Sequence, residues 1–234
     1  MPGVDPTNDT SFDSQVRYAQ AAERGKFQFL FAPDFPAWQN DLETEAPLNI
    51  NEPLLTFAAV ARETQRIGLV ATGSTTFNEP FNLARQFKAL DLMSLGRVGW
   101  NAVPSSDPGV AALYGRALPP RNEKYERLHE FIQLVQALWG TWGLDAWLHD
   151  KESGRFADPT KLRPINLKGR HVAASGLLQL PPSEQGQPVI FQAGDSPQGR
   201  ELGAATADVI FTHAASIEQG QAFYREVKGR AVQL

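Results

Sequence analysis

Short apolar runs alternate with amphipathic helical stretches along this chain, and that alternation constrains the fold more than any other feature. A helix fits residues 11–24, where Phe12, Val16, Ala19 and Ala22 share one face and Gly25 suits the C-cap. KFQFLFAPD follows, with a strand expected at about 27–31. A loop rich in Pro and Asn leads to Pro53, which stands where the helix PLLTFAAVARETQ begins. RIGLVATGST places the next strand at about 67–72. Pro80 opens the helix FNLARQFKALDLMS, with Leu83, Phe87 and Leu90 on one face and Gly96 beyond its end. RVGWNAV supplies a strand at 97–101, and residues 121–139 the longest helix, its core face formed by Leu128, Phe131, Leu134, Val135 and Leu138. PVIFQAG gives a strand at 188–192, SPQGRELGAATA a helix, and DVIFTH a strand at 208–212. SIEQGQAFYREVK closes the series as a helix, with Ser216 and Gln219 spaced as a capping box.

Strict alternation of strand and helix implies parallel β/α units, and strands that are continuously apolar are covered on both faces. An open doubly wound sheet and a (β/α) barrel both satisfy this. The strand ends favour the barrel. Asp34 follows the first strand, Thr72 and Ser74 end the second, and Asn101 ends the third. Gln192 to Ser196 follow the fourth, and Thr212 and His213 the fifth. A barrel gathers such groups at one mouth, the C-terminal ends of its strands. No Gly-rich dinucleotide fingerprint follows the first strand. The reading is one α/β domain over 1–234, with residues 140–187 an excursion rich in Gly, Pro and charge that holds a hairpin around LKGRHVAAS.

Composition removes several functional classes. The chain has no cysteine, which excludes disulfides, zinc–thiolate sites and a cysteine nucleophile. A net charge of −4 without clustered Lys or Arg argues against nucleic acid as a partner. No apolar run is long enough for a bilayer. MPGVDPTNDTSFDS lacks the basic and apolar regions of a signal peptide, so no membrane partner and a cytoplasmic location are expected. The four histidines show no metal-ligand spacing, and no metal is expected.

Four blocks carry a family resemblance: GLVATGSTTFNEPFNLARQFKALDLMSLGRVGWNAVPSSDPG, NEKYERLHEFIQLVQALW, DKESGRFADPTKLRPINLKGRHV and QGQPVIFQAGDSPQGRELGAATADVIFT. In this order they resemble the luciferase-like, flavin-dependent monooxygenases, in the branch of nitrilotriacetate, EDTA, dibenzothiophene-sulfone and long-chain alkane monooxygenases. The resemblance runs from about residue 12 to about 228. It implies a TIM-type barrel with an insertion before the QAG strand. It also implies reduced FMN as cofactor, O₂ as co-substrate, a separate NAD(P)H-dependent flavin reductase as partner, and transfer of one oxygen atom to a small organic substrate.

The resemblance also implies site roles. Ser196, in AGDSPQG at a helix start, falls where the family binds the FMN phosphate, a position whose free N–H groups suit an anion. Tyr125, Asp34, Thr72 and Asn101 match flavin-contacting positions, and Ser74 is placed to share the task of Thr72. Arg121 stands where the family commonly has His; it can bind a phosphate but cannot act as a neutral imidazole. After Asn101 the family's Val-Val-Thr-Ser is here Ala102, Val103, Pro104 and Ser105. No residue is assigned to the oxygen-transfer step. Family members are nearly twice as long, and five strands are read where a closed barrel needs eight. The chain therefore reads as a truncated member, five or six strands of the barrel. Exposed strand edges and apolar faces lead to the expectation of self-association, and a non-catalytic remnant is the alternative.

Overall fold

A computed structural model describes residues 11–37, 41, 43 and 51–233. Most of the stretch read as lacking a signal peptide, residues 1–10, lies outside the described residues, as does part of the Pro- and Asn-rich loop. Five strands form the main sheet: β1 (Phe29–Ala32), β2 (Gly68–Ser74), β3 (Val98–Val103), β8 (Val189–Gln192) and β9 (Val209–Ile210). All pair in parallel, in the order β1-β2-β3-β8-β9. Sequential order along a parallel sheet is the winding of a barrel. A doubly wound sheet reverses direction at a switch point, and this one does not.

Side chains show the curl directly. The inward layer Phe31, Val70, Gly99 and Val189 runs across four strands in register, followed by Thr72, Asn101, Phe191 and Val209. The edge strands of a flat five-stranded sheet stand roughly 19 Å apart at about 4.8 Å per strand. Here Phe31 of β1 stacks on Phe211, just past β9, with ring centroids 5.6 Å apart. Phe191 lies edge-on to Phe29 at 5.1 Å, so aromatic rings fill the concave side. The described structure is thus a curled parallel partial barrel, as the strand pattern led us to expect.

Helices cover the convex side: α1 (Phe12–Arg24), α2 (Pro53–Glu63), α3 (Pro80–Met93), α5 (Arg121–Trp139), α6 (Pro197–Thr206) and α7 (Ile217–Gln233). Alternation in β3 sends Val98, Trp100 and Ala102 outward into this layer, where all three are buried. Trp100 packs against Phe87 of α3 and against Phe131 and Trp139 of α5. Its indole N–H donates to the Gly73 carbonyl at 3.0 Å, so the buried ring leaves no polar atom unpaired. Burial of such a side chain contributes about 2–3 kcal/mol.

Three details differ from the sequence reading. Phe12, expected on the core face of α1, is 45% exposed, and Ser14 is buried instead. Gly25 is the C-cap of α1, as read, in a right-handed conformation, and Lys26 beside it takes the positive φ of 58°. A six-residue helix, α4 (Pro108–Leu113), stands between β3 and α5, capped by Asp107, whose side chain accepts from the Gly109 N–H. The 140–187 stretch holds two antiparallel hairpins. β6 (Ile165–Lys168) with β7 (Ala173–Gly176) is the expected one; β4 (Trp147–Asp150) with β5 (Arg155–Ala157) was not foreseen.

Candidate functional site

A cavity of about 530 Å³ opens at the C-terminal ends of the strands, within the range typical of ligand pockets. Asp34, Thr72, Ser74, Asn101 and Tyr125 line it, together with Gln192 at the end of β8 and Gly194 beyond it. Parallel strands in register explain the gathering, because each chain leaves its strand at the same end. Thr72 and Asn101 are register partners on β2 and β3.

Their chemistry is unfinished. The Asn101 side-chain amide donates to Thr72 Oγ1 at 2.9 Å. Its carbonyl oxygen, Oδ1, is buried and accepts nothing among the described residues. A buried acceptor without a donor costs roughly 1–3 kcal/mol, so Asn101 offers a ligand N–H a ready partner. Beside it, Ser105 Oγ and Ser74 Oγ share a hydrogen bond of 2.7 Å. Gln192 is held by its amide, which donates to the Ala102 carbonyl at 2.8 Å.

A second cluster borders the cavity at the start of α6. Ser196 is the N-cap, and its Oγ accepts from the Gly199 N–H at 3.1 Å. The same Oγ meets the Tyr125 hydroxyl of α5 at 3.1 Å. Two hydroxyls that share one hydrogen bond keep a second proton to donate. The backbone is close-packed here: a Cβ on Gly199 would fall 2.9 Å from the Gly194 carbonyl oxygen. Arg121 lies outside the cavity lining. Its Nε donates to Gln198 at 2.9 Å, and its guanidinium sits 5.9 Å from the Tyr125 ring centre. The cluster has the parts of an anion site: hydroxyls, a helix N-terminus and a guanidinium.

Burial, and then the charge of Glu52, push the Asp34 carboxyl above its ordinary pKa. The structure therefore brings Asp34, Thr72, Ser74, Asn101 and Tyr125 to one mouth, with Ser196 and Arg121 at its border. His213, after β9, does not line the cavity. Sequence reasoning missed Phe77, stacked on Tyr114 at 4.6 Å, although both rings line the cavity. The one signal available was Asp107-Pro108, an N-cap followed by proline, which announces the α4 helix that carries Tyr114 at its end. Among the described residues no group of three His, Asp or Glu could hold a metal, and no helix is long and apolar enough to cross a membrane.

Comparison with known proteins agrees with this fold. A family model described as luciferase-like monooxygenase matches residues 2–233. N-acetyl-S-(2-succino)cysteine monooxygenase of Bacillus subtilis is 41% identical over 92% of this chain and 49% of its own length. Nitrilotriacetate monooxygenase component A of Aminobacter aminovorans is 39% identical over 98% of this chain and 53% of its own. A riboflavin lyase, solved with modified FMN and riboflavin, superposes with a TM-score of 0.89 at 33% identity, covering 95% of this chain and 52% of that one. The chain thus spans about half the length of the curated relatives it matches.

Proposed function

The chain belongs to the luciferase-like monooxygenase family, and on that premise we propose that it binds reduced FMN and serves a two-component monooxygenase fed by a separate NAD(P)H-dependent flavin reductase. The observation that carries the reading is the orphaned, buried Oδ1 of Asn101, which lines the same cavity as Tyr125, whose hydroxyl meets Ser196 at the border. A flavin ring offers an N–H donor for the first, and its phosphate an anion for the second. Bound there, reduced FMN would supply the two electrons with which one atom of O₂ passes to a small organic substrate while the other leaves as water.

Each residue then has a task. Ser196, Tyr125 and Arg121 would hold the phosphate. Asn101 would accept from the ring, with Thr72 fixing its amide orientation through their hydrogen bond. Ser74 and Asp34 would complete the polar side of the lining. Phe31 would give the floor of the cavity an apolar surface, and water kept from that floor favours oxygen transfer over loss of peroxide. Self-association would shelter the open edges of β1 and β9, each of which pairs with one neighbour in the sheet.

Two measurements test this. Fluorescence titration should show FMN binding more tightly than riboflavin, which lacks the phosphate; equal affinities rule out the Ser196 assignment. Supplying a flavin reductase, NADH and O₂ should then give oxygenated product from a substrate panel. A second reading, a remnant that binds flavin without oxygenating, follows from the exposure of Phe211 at 58% on the concave side. It predicts FMN binding with NADH consumed and no product formed.

A further inference from the structure

Two segments at the mouth each bring one serine and one apolar residue to the cavity. Ser74 ends β2 and Phe77 follows it; Ser105 follows β3 and Val110 lies in α4. Ser74 stands two residues beyond Thr72 on β2, so it faces the same side about 6.6 Å nearer the mouth. Both segments are pinned by their backbones. The Asn78 side-chain amide donates to the Ser74 carbonyl at 2.8 Å, and the Arg127 guanidinium donates to the Thr75 and Asn78 carbonyls at 2.9 and 3.0 Å. The Lys124 ammonium donates to the Ser105 carbonyl at 3.2 Å. Phe77 is buried against Val110 and Ala111, so the two segments also pack on each other.

The hydroxyls of this pair leave one donor over. Ser105 Oγ donates to Ser74 Oγ at 2.7 Å, and the Thr76 N–H donates to the same oxygen at 3.2 Å. A serine hydroxyl has two acceptor lone pairs and one proton. Both lone pairs of Ser74 are thus taken, and its own proton meets no acceptor among the described residues. Ser74 is buried and lines the cavity, which leaves a ligand as the source of an acceptor. The cavity therefore holds two unmatched groups of opposite kind. Asn101 Oδ1 asks for a donor, which the flavin ring has. Ser74, one layer nearer the mouth and beside apolar Phe77 and Val110, asks for an acceptor.

We propose that the Ser74–Ser105 pair is the polar anchor of the substrate, and that the substrate is an apolar molecule carrying an acceptor oxygen of the carbonyl kind, which takes the Ser74 proton while Phe77 and Val110 cover its hydrocarbon part. Ser105 is a positioning residue: its hydrogen bond occupies a lone pair of Ser74 and turns the Ser74 proton away from itself. The proposal rests on the flavin reading of the same cavity.

The test uses the FMN-loaded protein and two shape-matched pairs of probes, acetophenone with alpha-methylstyrene and cyclohexanone with methylenecyclohexane. Each pair exchanges a carbonyl oxygen for a methylene group. Affinities are read from the change in flavin fluorescence, and the preference is the ratio of alkene to ketone Kd. Ser74→Ala alone would free the Ser105 proton for the ligand, so the deciding variant carries both Ser74→Ala and Ser105→Ala. In it the preference for the ketone should fall by about five- to twentyfold, through weaker ketone binding and not through tighter alkene binding. Its own FMN titration shows that it is folded. A second measurement needs no variant: the carbonyl stretching band of the bound ketone should lie at lower frequency than in cyclohexane. An unchanged preference in the double variant means that the flavin, and not the substrate, takes the Ser74 proton, and it overturns the proposal. A band at its cyclohexane position, or failure of both ketones to bind while FMN binds, overturns it as well. Failure of FMN itself to bind the unaltered protein sinks the flavin reading and this one with it.

Discussion

The Tyr125 hydroxyl of α5 and Ser196 Oγ, the N-cap of α6, lie 3.1 Å apart, although 71 residues separate them in sequence. The contact ties the longest helix to the start of the helix that follows β8 and closes one side of the mouth. Ser196 also caps α6 through the Gly199 N–H. Its removal should therefore have two separable effects. Ser196→Ala should lower stability by about 1 kcal/mol through the lost cap and weaken FMN binding by about five- to thirtyfold through the lost hydroxyl. Tyr125→Phe should weaken FMN by a similar factor while α6 keeps its cap. Thermal melts and flavin titration of both variants separate the two contributions.

Asn101 gives the opposite pattern. Its Oδ1 is already unsatisfied, so the folded protein without ligand gains nothing from that atom. Asn101→Ala should then cost little stability in the absence of flavin, although it frees Thr72 Oγ1 from its partner. The rise in melting temperature that FMN produces in the unaltered protein should largely disappear in the variant. A large loss of stability without flavin, of about 3 kcal/mol or more, would mean that Oδ1 has a partner in the folded chain.

How much of this is visible in the sequence depends on the range over which each signal acts. β1, β2, β3, β8 and β9 are continuous apolar runs because the sheet is covered on one face by helices and filled on the other by Phe29, Phe31 and Phe191. Asp34, Thr72 and Asn101 could be placed at one mouth because parallel register fixes which end of each strand they occupy. The α4 helix escaped periodicity because six residues make fewer than two turns, and only its Asp107-Pro108 start betrays it. Phe77 against Tyr114 is a contact between two loops set by how α4 docks, which no local pattern encodes. In α1, Phe12 is left 45% exposed at the first turn, while Ser14 and Ala19 are the buried positions, so the expected stripe does not reach the helix start. The family resemblance supplied the ligand; the residues alone supplied only a polar mouth.

Gly99 tests the concave packing. A Cβ there would lie 2.8 Å from the Phe191 ring and 3.1 Å from Val70 Cγ2. Its backbone conformation is ordinary strand, so the constraint is space and not φ. Gly99→Ala should cost about 1–3 kcal/mol by overpacking. Combined with Phe191→Leu, part of that loss should return, and the double variant should be more stable than the sum of the two changes allows. Urea denaturation of the four proteins measures the coupling. Strict additivity would show that the ring moves aside freely, and that the barrel interior is looser than the Phe29–Phe191 contact at 5.1 Å implies.

Two glutamates should set the acid limit of stability. Glu23 at the end of α1 accepts from the backbone N–H groups of Gln65, Arg66 and Ile67 at 2.9, 2.6 and 3.0 Å, fixing the entry to β2. Glu130 on α5 accepts from Arg170, His171 and Val172, holding the turn between β6 and β7. For both, burial pushes the pKa up, but the backbone donors outweigh it, and the net shift is downward. A carboxyl whose folded pKa is depressed stabilises the fold above its unfolded pKa, and that contribution is lost as pH falls through the folded value. Melting temperature should therefore hold steady down to the ordinary carboxylate range and fall below it. Glu130→Gln keeps one acceptor but no charge, so it should melt lower at neutral pH and show a shallower acid decline. Its loss should be local: hydrogen exchange should quicken in 165–176 and leave β2 and β3 unchanged. Glu23→Gln should show the same pH behaviour, with exchange quickened at 65–68 instead. An acid decline as steep in the double variant as in the unaltered protein would assign it to other carboxylates.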